Sequence, residues 1–199
     1  MAEIKICGLY RACDIDYINE ADPDYAGFIL NFPRSHRNLS PEQAKPLRFR
    51  LKPQIRAVGV FVDQPQEVIL EAARVLEPDV IQLHGNESGE YIRALREKVR
   101  IPVWKAFRIR RPEDLDAAKE SPADLVLLDN GYGTGEAFDW TVATDFDRPF
   151  ILAGGLTPEN IPEAVRLLQP QIVDISSGVE TERMKDPVKI RAAVAAARM

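Results

Sequence analysis

Eight short runs of apolar residues recur along the chain about every 25 residues, and this repeat limits the possible folds more than any other feature. The runs are rich in Ile, Val, Leu and Phe and show little alternation with polar residues, as in VIQLH, LVLLD and FILAGG. Near-continuous apolar runs of this length are typical of parallel strands that are buried on both faces. We therefore predict strands at 3–7, 25–30, 55–61, 79–83, 102–106, 124–128, 149–152 and 171–175.

Amphipathic segments lie between these runs and predict helices. Five segments place apolar side chains on one stripe of a helix, namely 63–78, 87–99, 111–121, 157–169 and 186–199. Thr157 and Asp186 each precede a proline, which is a common way to begin a helix. The second helix is the least well marked, because Pro46 interrupts the segment PEQAKPLRFRL.

Eight strand–helix units predict an α/β fold, a single (β/α)8 TIM barrel that covers residues 1–199 as one catalytic domain. The 199 residues, 45% of them apolar, are sufficient to bury one large core. An open doubly wound sheet is the alternative, but it usually has fewer strands and a glycine-rich first turn. The segment CGLY does not match the G-x-G-x-x-G pattern of such a turn.

Composition argues against several classes of partner. The net charge of −5 is unfavourable for nucleic acid, and no run approaches the 18 apolar residues of a membrane span. Two cysteines are too few for a disulfide scaffold, and two distant histidines make no zinc signature, so we expect no metal.

The start MAEIKIC lacks the apolar stretch of a signal peptide, which predicts a cytoplasmic protein. The oligomeric state stays open between a monomer and a homodimer.

The barrel fold also predicts where the active site lies, because in such barrels it is built just after the strands, at their carboxyl-terminal ends. Polar and reactive residues cluster at these positions, although the strands that lead to them are apolar. The positions hold Cys7, the FPRSHR loop, Asp63, His84, Lys105, Asp129, Gly154, Gly155 and the segment from Asp174 to Gly178.

Two of these loops predict a phosphate site. Gly154 and Gly155 follow the seventh strand, whereas Ser177 and Gly178 follow the eighth. Glycines let backbone N–H groups approach an anion, and serine hydroxyls add donors. Barrels of this kind often bind phosphate with the loops after strands 7 and 8.

An acid and a base are also available at the predicted mouth of the barrel. Asp129 ends a buried strand, so we expect desolvation to raise its pKa and to suit it to donating a proton. Cys7 ends the first strand and can act as nucleophile or base where positive charge stabilises its thiolate. Cys13 lies in the first helix, and we assign it a structural role.

Further candidates are predicted to hold the substrate. Arg37 can clamp a carboxylate, with Arg34 as its competitor in the same loop. His84 is a hydrogen-bond donor or base at the rim, and Asp174 precedes the second phosphate loop. The segment 131–140, GYGTGEAFDW, carries three glycines in five residues and can form a partial cover over the ligand.

These residues lie in segments that resemble the phosphoribosylanthranilate isomerase family of tryptophan biosynthesis. The resemblance runs through essentially the whole chain, in the family's order. The combination of KICGL, GTG..FDW, LAGGL.PEN and SSGVE is specific, whereas one of these motifs alone would not be. The matching segments are 5–9, 35–37, 58–64, 81–85, 126–129, 133–140, 152–161 and 174–180.

The resemblance implies an Amadori rearrangement of N-(5-phosphoribosyl)anthranilate to 1-(2-carboxyphenylamino)-1-deoxyribulose 5-phosphate, without a cofactor. It implies that Asp129 protonates the furanose ring oxygen and that Cys7, as thiolate, removes the C2 proton. Arg37 matches the arginine that faces the anthranilate carboxylate, and the four phosphate-loop residues match that family's phosphate region. Two positions depart from the family's pattern, with His36 in place of a proline and Arg183 in place of a glycine.

Two alternatives stay open at this stage. A related phosphosugar isomerase of the histidine pathway would favour two catalytic aspartates and a two-fold repeat, and no half-chain repeat is visible. A non-catalytic barrel that binds a phosphosugar would need the phosphate loops but not both Cys7 and Asp129.

Overall fold

The computed structural model describes residues 1–129 and 140–199, and within these ranges eight parallel strands form a closed barrel. Each strand pairs with the next, and the first strand pairs with both the second and the last, so the ring of eight strands is closed. The predicted (β/α)8 barrel is confirmed, and the open-sheet alternative is wrong. The strands are β1 (Glu3–Cys7), β2 (Tyr25–Leu30), β3 (Arg56–Phe61), β4 (Val80–Leu83), β5 (Val103–Arg108), β6 (Leu125–Asp129), β7 (Phe150–Leu152) and β8 (Ile172–Ile175).

Helices connect most of the strands on the outside of the barrel. They are α1 (Ala12–Ala21), α2 (Pro41–Phe49), α3 (Gln66–Leu76), α4 (Gly89–Arg96), α5 (Leu115–Lys119), α6 (Ile161–Leu168) and α7 (Pro187–Ala197). Ahead of β7, Trp140–Ala143 forms a short 3-10 helix. The two-residue strand Asn38–Leu39 extends the sheet beside β2, and Glu180–Thr181 pairs with Met184–Lys185 in a small hairpin after β8.

Capping explains where two of the helices begin. Helix α2 forms in spite of Pro46 because the Ser40 hydroxyl accepts from the Gln43 backbone, and the Gln43 side chain accepts from the Ser40 backbone. Asp186 caps α7, as predicted, by accepting from the first two backbone N–H groups that follow its proline. The start predicted at Thr157 is four residues early, because 157–160 form a turn that Asn160 holds.

The barrel has two apolar cores, because successive strand residues face opposite sides of the sheet. The interior is filled by side chains such as Val58, Val60, Trp104, Leu127 and Ile151. The outer core packs the other face of the strands against the helices. Both faces of the strands are therefore buried, which is why they read as continuous apolar runs.

Three aspartates tie strands together in pairs at the amino-terminal end of the barrel. Asp24, Asp79 and Asp124 stand just before β2, β4 and β6. Each carboxylate accepts from a backbone N–H at the start of the preceding strand, and each aspartate N–H donates to the carbonyl of the same residue. The carboxylate bonds are 2.9 Å to Ile4, 2.7 Å to Ala57 and 2.8 Å to Val103. We call these three arrangements the aspartate clamps.

Candidate active site

Cys7 and Asp129 are the last residues of β1 and β6, so both stand at the carboxyl-terminal mouth of the barrel. The Cys7 side chain belongs to the interior core and is 7% exposed. Asp129 lies two residues after the inward-facing Leu127, so its side chain is on the same interior face. The two strands are three apart in a ring of eight, which places the thiol and the carboxyl across the mouth from one another.

A buried ion pair lies one layer deeper, below Cys7. Lys5 Nζ is 2.8 Å from Asp174 Oδ2, and Lys5 is completely buried. Burial alone lowers the pKa of the Lys5 ammonium, but attraction to Asp174 and then Cys7 outweighs it, and the pKa lies above its ordinary value. Asp174 pairs in register with Lys5, so it lies inside the barrel and not on the rim where the sequence placed it. Its other oxygen, Oδ1, is buried and has no hydrogen-bond partner among the described residues.

The chemical state of Cys7 follows from these neighbours. Burial raises the pKa of the Cys7 thiol above its ordinary value, Lys5 and Lys185 lower it, and Asp174 adds to the rise. The positive charge that would stabilise a Cys7 thiolate is present, but the effect of burial outweighs it. In the free protein Cys7 is therefore a thiol near neutral pH.

His84 connects to Asp129 across the gap between β4 and β6. His84 Nε2 is 3.5 Å from Asp129 Oδ2, and His84 Nδ1 is 3.0 Å from the amide nitrogen of Gln82. When the Gln82 amide donates to Nδ1, the proton of a neutral imidazole lies on Nε2 and faces the carboxylate. The structure thus places His84 and Asp129, both predicted site residues, in contact with one another.

Arg37 is held by a partner that the sequence analysis missed. Its Nε and Nη2 atoms donate to the two oxygens of Glu180 at 2.7 and 2.6 Å. Burial raises the pKa of Glu180, but the hydrogen bonds from Arg37 and the charge of Lys185 lower it to about 2. A side chain at Gly8 would overlap Arg37 Cδ, so the glycine lets Arg37 lie across the end of β1. Arg34, its competitor, is exposed.

The two glycine loops have backbone conformations that suit them to an anion. Gly154 and Gly155 have φ angles of 87° and 63°, which glycine adopts without strain. Asn160 Nδ2 donates to the carbonyl of Gly155 at 3.0 Å and ties the loop to the start of α6. A Cβ at Gly178 would overlap the carbonyl oxygen of Leu156, so the loops after β7 and β8 are in direct contact. Ser177 opens the 3-10 turn Ser177–Val179 beside them.

A cavity of about 530 Å³ adjoins Asp129, and Arg108 in its lining is a second residue that sequence reasoning missed. Arg108 pairs in register with Asp129 at the end of β5. Arg108 is two residues after the inward-facing Ala106 on the same strand, so its side chain lies on the inner face of the barrel. That spacing is the sequence signal that would have identified Arg108. The lining also includes His84, Gly85 and Arg110.

Two residues predicted at the rim hold loops. Lys105 is within β5, which continues past its predicted end at 106 to Arg108, and the Lys105 ammonium donates to the carbonyl of Gly85 at 2.7 Å. Lys105 also forms an ion pair with Glu87 at 3.3 Å. The Asp63 carboxylate accepts from Asn86, in the loop after β4.

The predicted cover lies almost entirely outside the described residues. Residues 130–139 are not described, and they include most of the segment 131–140, with Tyr132 and Asp139. Arg183, which stands where the family pattern has glycine, has a φ angle of 63°. That is the left-handed region, which explains why glycine suits this position.

A family model described as PRAI, N-(5'-phosphoribosyl)anthranilate (PRA) isomerase, matches residues 4–196. The chain belongs to this family. The predicted family membership and the predicted activity, an isomerisation of phosphoribosylanthranilate in tryptophan biosynthesis, are thereby confirmed.

Relatives of the isomerase match over nearly its whole length. The N-(5'-phosphoribosyl)anthranilate isomerase of Thermoanaerobacter sp. (strain X514) is 45% identical over 198 residues, which cover 96% of this chain and 95% of the relative. That of Acetivibrio thermocellus is 43% identical over 205 residues, which cover 96% and 93%.

Solved structures of the same family superpose closely on the isomerase. A crystal structure of the phosphoribosyl anthranilate isomerase of Thermotoga maritima has a TM-score of 0.89 at 36% identity and covers 100% of this chain and 99% of that one. Another, with a TM-score of 0.87 at 35% identity and the same coverage, is of a phosphoribosyl anthranilate isomerase in complex with reduced 1-(o-carboxyphenylamino)-1-deoxyribulose 5-phosphate. Within residues 1–129 and 140–199, the isomerase has no helix that is both long enough and apolar enough to cross a membrane.

Proposed function

We propose that the isomerase converts N-(5-phosphoribosyl)anthranilate to 1-(2-carboxyphenylamino)-1-deoxyribulose 5-phosphate by general acid–base catalysis, with Asp129 as the acid and Cys7 as the base. The observation that carries this proposal is their placement across one barrel mouth, at the ends of β6 and β1. A sugar bound between them meets a proton donor on one side and a proton acceptor on the other.

The proposed reaction has three steps. The Asp129 carboxylic acid protonates the furanose oxygen, the C1–O bond breaks towards that oxygen, and the nitrogen lone pair forms a C1=N bond. Cys7 loses its thiol proton to water and, as the thiolate, removes the C2 proton. The electrons of that C–H bond form C1=C2 while the C1=N electrons return to nitrogen. The resulting enolamine gains a proton at C1 and loses the proton of its C2 hydroxyl, which leaves the C2 ketone. Exchange with water takes the C2 proton from the Cys7 thiol and returns a proton to the Asp129 carboxylate, so both groups are restored.

The two anionic ends of the substrate have complementary sites on the same rim. We assign the phosphate to the backbone N–H groups of the loops after β7 and β8, because their glycines let an anion approach. The residues of this phosphate site are Gly154, Gly155, Ser177 and Gly178. Arg37 takes the anthranilate carboxylate on the Nη1 side of its guanidinium, the side that Glu180 does not cover.

Two further residues complete the proposed binding site. His84 is 3.5 Å from the Asp129 carboxyl and can orient it towards the sugar. The buried Oδ1 of Asp174 is an acceptor for a substrate hydroxyl, because a buried acceptor without a partner is unfavourable until a donor arrives.

Turnover of freshly generated phosphoribosylanthranilate by Cys7→Ser and Asp129→Asn tests the two catalytic assignments. We expect each variant to lose at least about 10²-fold in kcat while it stays folded by circular dichroism. Cys13→Ser is the matched control, because Cys13 is a free thiol away from the mouth, and it should keep its full rate. A folded Cys7→Ser or Asp129→Asn variant with parental kcat would remove that residue from the mechanism.

The wider setting also belongs to this proposal. We propose one catalytic domain over residues 1–199, which the family match over 4–196 supports. We propose a cytoplasmic location, which the count of two cysteines supports, because small proteins of oxidising compartments are often rich in disulfides. A monomer or a homodimer fits the chain, and a solved structure at 36% identity is of monomers generated from the dimeric isomerase of Thermotoga maritima.

A further inference from the structure

The lysine in the barrel interior has no role in the mechanism proposed above. Lys5 is completely buried, and lysine is almost never buried to that degree unless it is paired. Its ion pair with Asp174 satisfies that condition but does not explain why the barrel holds a charged pair beneath its reactive thiol. A buried ion pair is weak evidence for stability, because apolar residues of similar volume often stabilise a core as well or better.

The backbone places the Lys5 ammonium close to the Cys7 thiol. The two residues are two apart on β1, so their side chains lie on the same inward face. Gly27, the register partner of Cys7 on β2, leaves the space into which both extend. A Cβ at Gly27 would be 2.9 Å from Cys7 Sγ and 3.1 Å from Lys5 Cε.

The other charges around the thiol are already engaged. Lys185 is also buried, but its ammonium donates to Glu180 at 2.8 Å and to the Ser176 carbonyl at 2.9 Å. Glu180 in turn binds Arg37 on its outer side. Asp174 faces the thiol from β8 with a negative charge that opposes ionisation. Lys5 is also paired, with Asp174, but it lies two residues before Cys7 on the same inward face of β1 and shares with it the space at Gly27, so its ammonium is the cation best placed to stabilise a negative sulfur.

We propose that Lys5 is a positioning residue whose ammonium stabilises the thiolate of Cys7, and that Asp174 limits this stabilisation by holding the same ammonium. The proposal deepens the acid–base mechanism and rests on Cys7 being its base. Removal of the ammonium disfavours the thiolate, whereas removal of the Asp174 charge favours it. If the ion pair had a purely structural role, its two variants would not change the thiolate fraction of Cys7 in opposite directions.

Direct titration of the Cys7 thiol tests this inference without any substrate. The background is Cys13→Ser, which leaves one thiol, and the blank is the Cys7→Ser, Cys13→Ser double variant. The ultraviolet absorbance of the thiolate is followed against pH, and the rate of alkylation by iodoacetamide is measured alongside it. Lys98→Met is the matched control, because it removes an exposed ammonium that contacts Gln66.

At a fixed pH below the midpoint we expect Lys5→Met to lower the thiolate fraction at least about tenfold and Asp174→Asn to raise it by a similar factor. Lys98→Met should change it by less than about twofold. A change below twofold in both test variants, or a change in the same direction, would overturn the inference. If Lys5→Met does not fold by circular dichroism, Asp174→Asn decides alone, and a thiolate fraction that fails to rise is the contrary result.

The titration and the turnover assay fail independently. Full turnover by Cys7→Ser would refute the proposed base whatever the titration shows. If Cys7→Ser is inactive and the titration is flat, the base stands and the role of Lys5 falls.

Discussion

The carboxylate of Glu180 binds the guanidinium of Arg37 through two hydrogen bonds, from Nε at 2.7 Å and from Nη2 at 2.6 Å. The two residues are 143 positions apart, and the contact joins the loop after β2 to the hairpin after β8. Both hydrogen bonds fall on one edge of the planar guanidinium, so Glu180 fixes the orientation of that edge. The arginine proposed to bind the carboxylate is thus oriented before the substrate arrives.

We expect Glu180→Gln to raise KM at least about tenfold and to change kcat much less, because the variant disturbs the orientation of Arg37 and not the reacting groups. Steady-state kinetics on freshly generated substrate measures both constants. Glu182→Gln is the matched control, since Glu182 is an exposed glutamate in the same hairpin turn. An unchanged KM in Glu180→Gln would show that Arg37 needs no such support.

The contact between the two phosphate loops predicts the effect of a single methyl group. Gly178→Ala would drive Cβ into the carbonyl of Leu156, so the loop after β7 must move away from the loop after β8. We expect KM to rise at least about tenfold and inhibition by inorganic phosphate to weaken by a similar factor. Gly89→Ala, where the nearest atom to the new Cβ is 3.5 Å away, should leave both values unchanged. Parental phosphate inhibition in Gly178→Ala would place the anion elsewhere.

The raised pKa of Cys7 predicts the pH dependence of the free enzyme. The base is the thiolate, its fraction grows as pH rises through the thiol pKa, and burial raises that pKa above its ordinary value. We therefore expect the rate at which iodoacetamide alkylates Cys7 in the free enzyme to increase about tenfold per pH unit on the rising limb, and to level off only above about pH 8.5, the ordinary pKa of a cysteine thiol. Cys13→Ser should give the same profile. A plateau that is already reached near pH 6 would mean that the thiol ionises far more easily than its surroundings allow.

The aspartate clamps predict a loss of stability without a loss of activity. Asp79→Ala removes the carboxylate that accepts from the Ala57 backbone at 2.7 Å and from Arg48 at 3.0 Å. We expect the free energy of unfolding in urea to fall by about 1–3 kcal/mol, because a buried N–H loses its acceptor. Asp116→Ala, at an exposed position of α5, should change it by less than about 0.5 kcal/mol. We expect the folded Asp79→Ala enzyme to keep the parental kcat, because the clamp lies at the end of the barrel opposite the catalytic mouth. A large loss of kcat would contradict this prediction.

The repeat of apolar runs was sufficient to predict the closed barrel, because burial of both strand faces leaves a local signal in the sequence. The positions of Cys7, Asp129 and His84 at or just after strand ends were likewise sufficient to predict that the three residues lie at one mouth of the barrel. The predictions were wrong where the exact end of a strand, or a partner distant in sequence, determines where a side chain lies. Lys105 lies within a longer strand, and Arg108 reaches the mouth only because that strand continues to it.

Long-range pairing lay beyond what the sequence could predict. Lys5 with Asp174 and Arg37 with Glu180 join residues that only the closed sheet and its hairpin bring together. The family resemblance implied roles for Cys7, Asp129 and Arg37, but it did not indicate the charges that control them. Depth inside the barrel is also a property of strand register, and for that reason Asp174 was expected on the rim and lies beneath it.

The aspartate clamps divide the barrel into modules. Each clamp fastens an odd-numbered strand to the even-numbered strand after it, so β1–β2, β3–β4 and β5–β6 are closed two-strand units at the amino-terminal end. The chain between α2 and β3, near the exposed Lys52 and Pro53, crosses from one unit to the next. A circular permutant with new termini there keeps all three clamps whole. A cut between Pro23 and Asp24 removes the chain connection between two strands that the first clamp holds. We therefore expect circular permutation to be tolerated better between these units than within them.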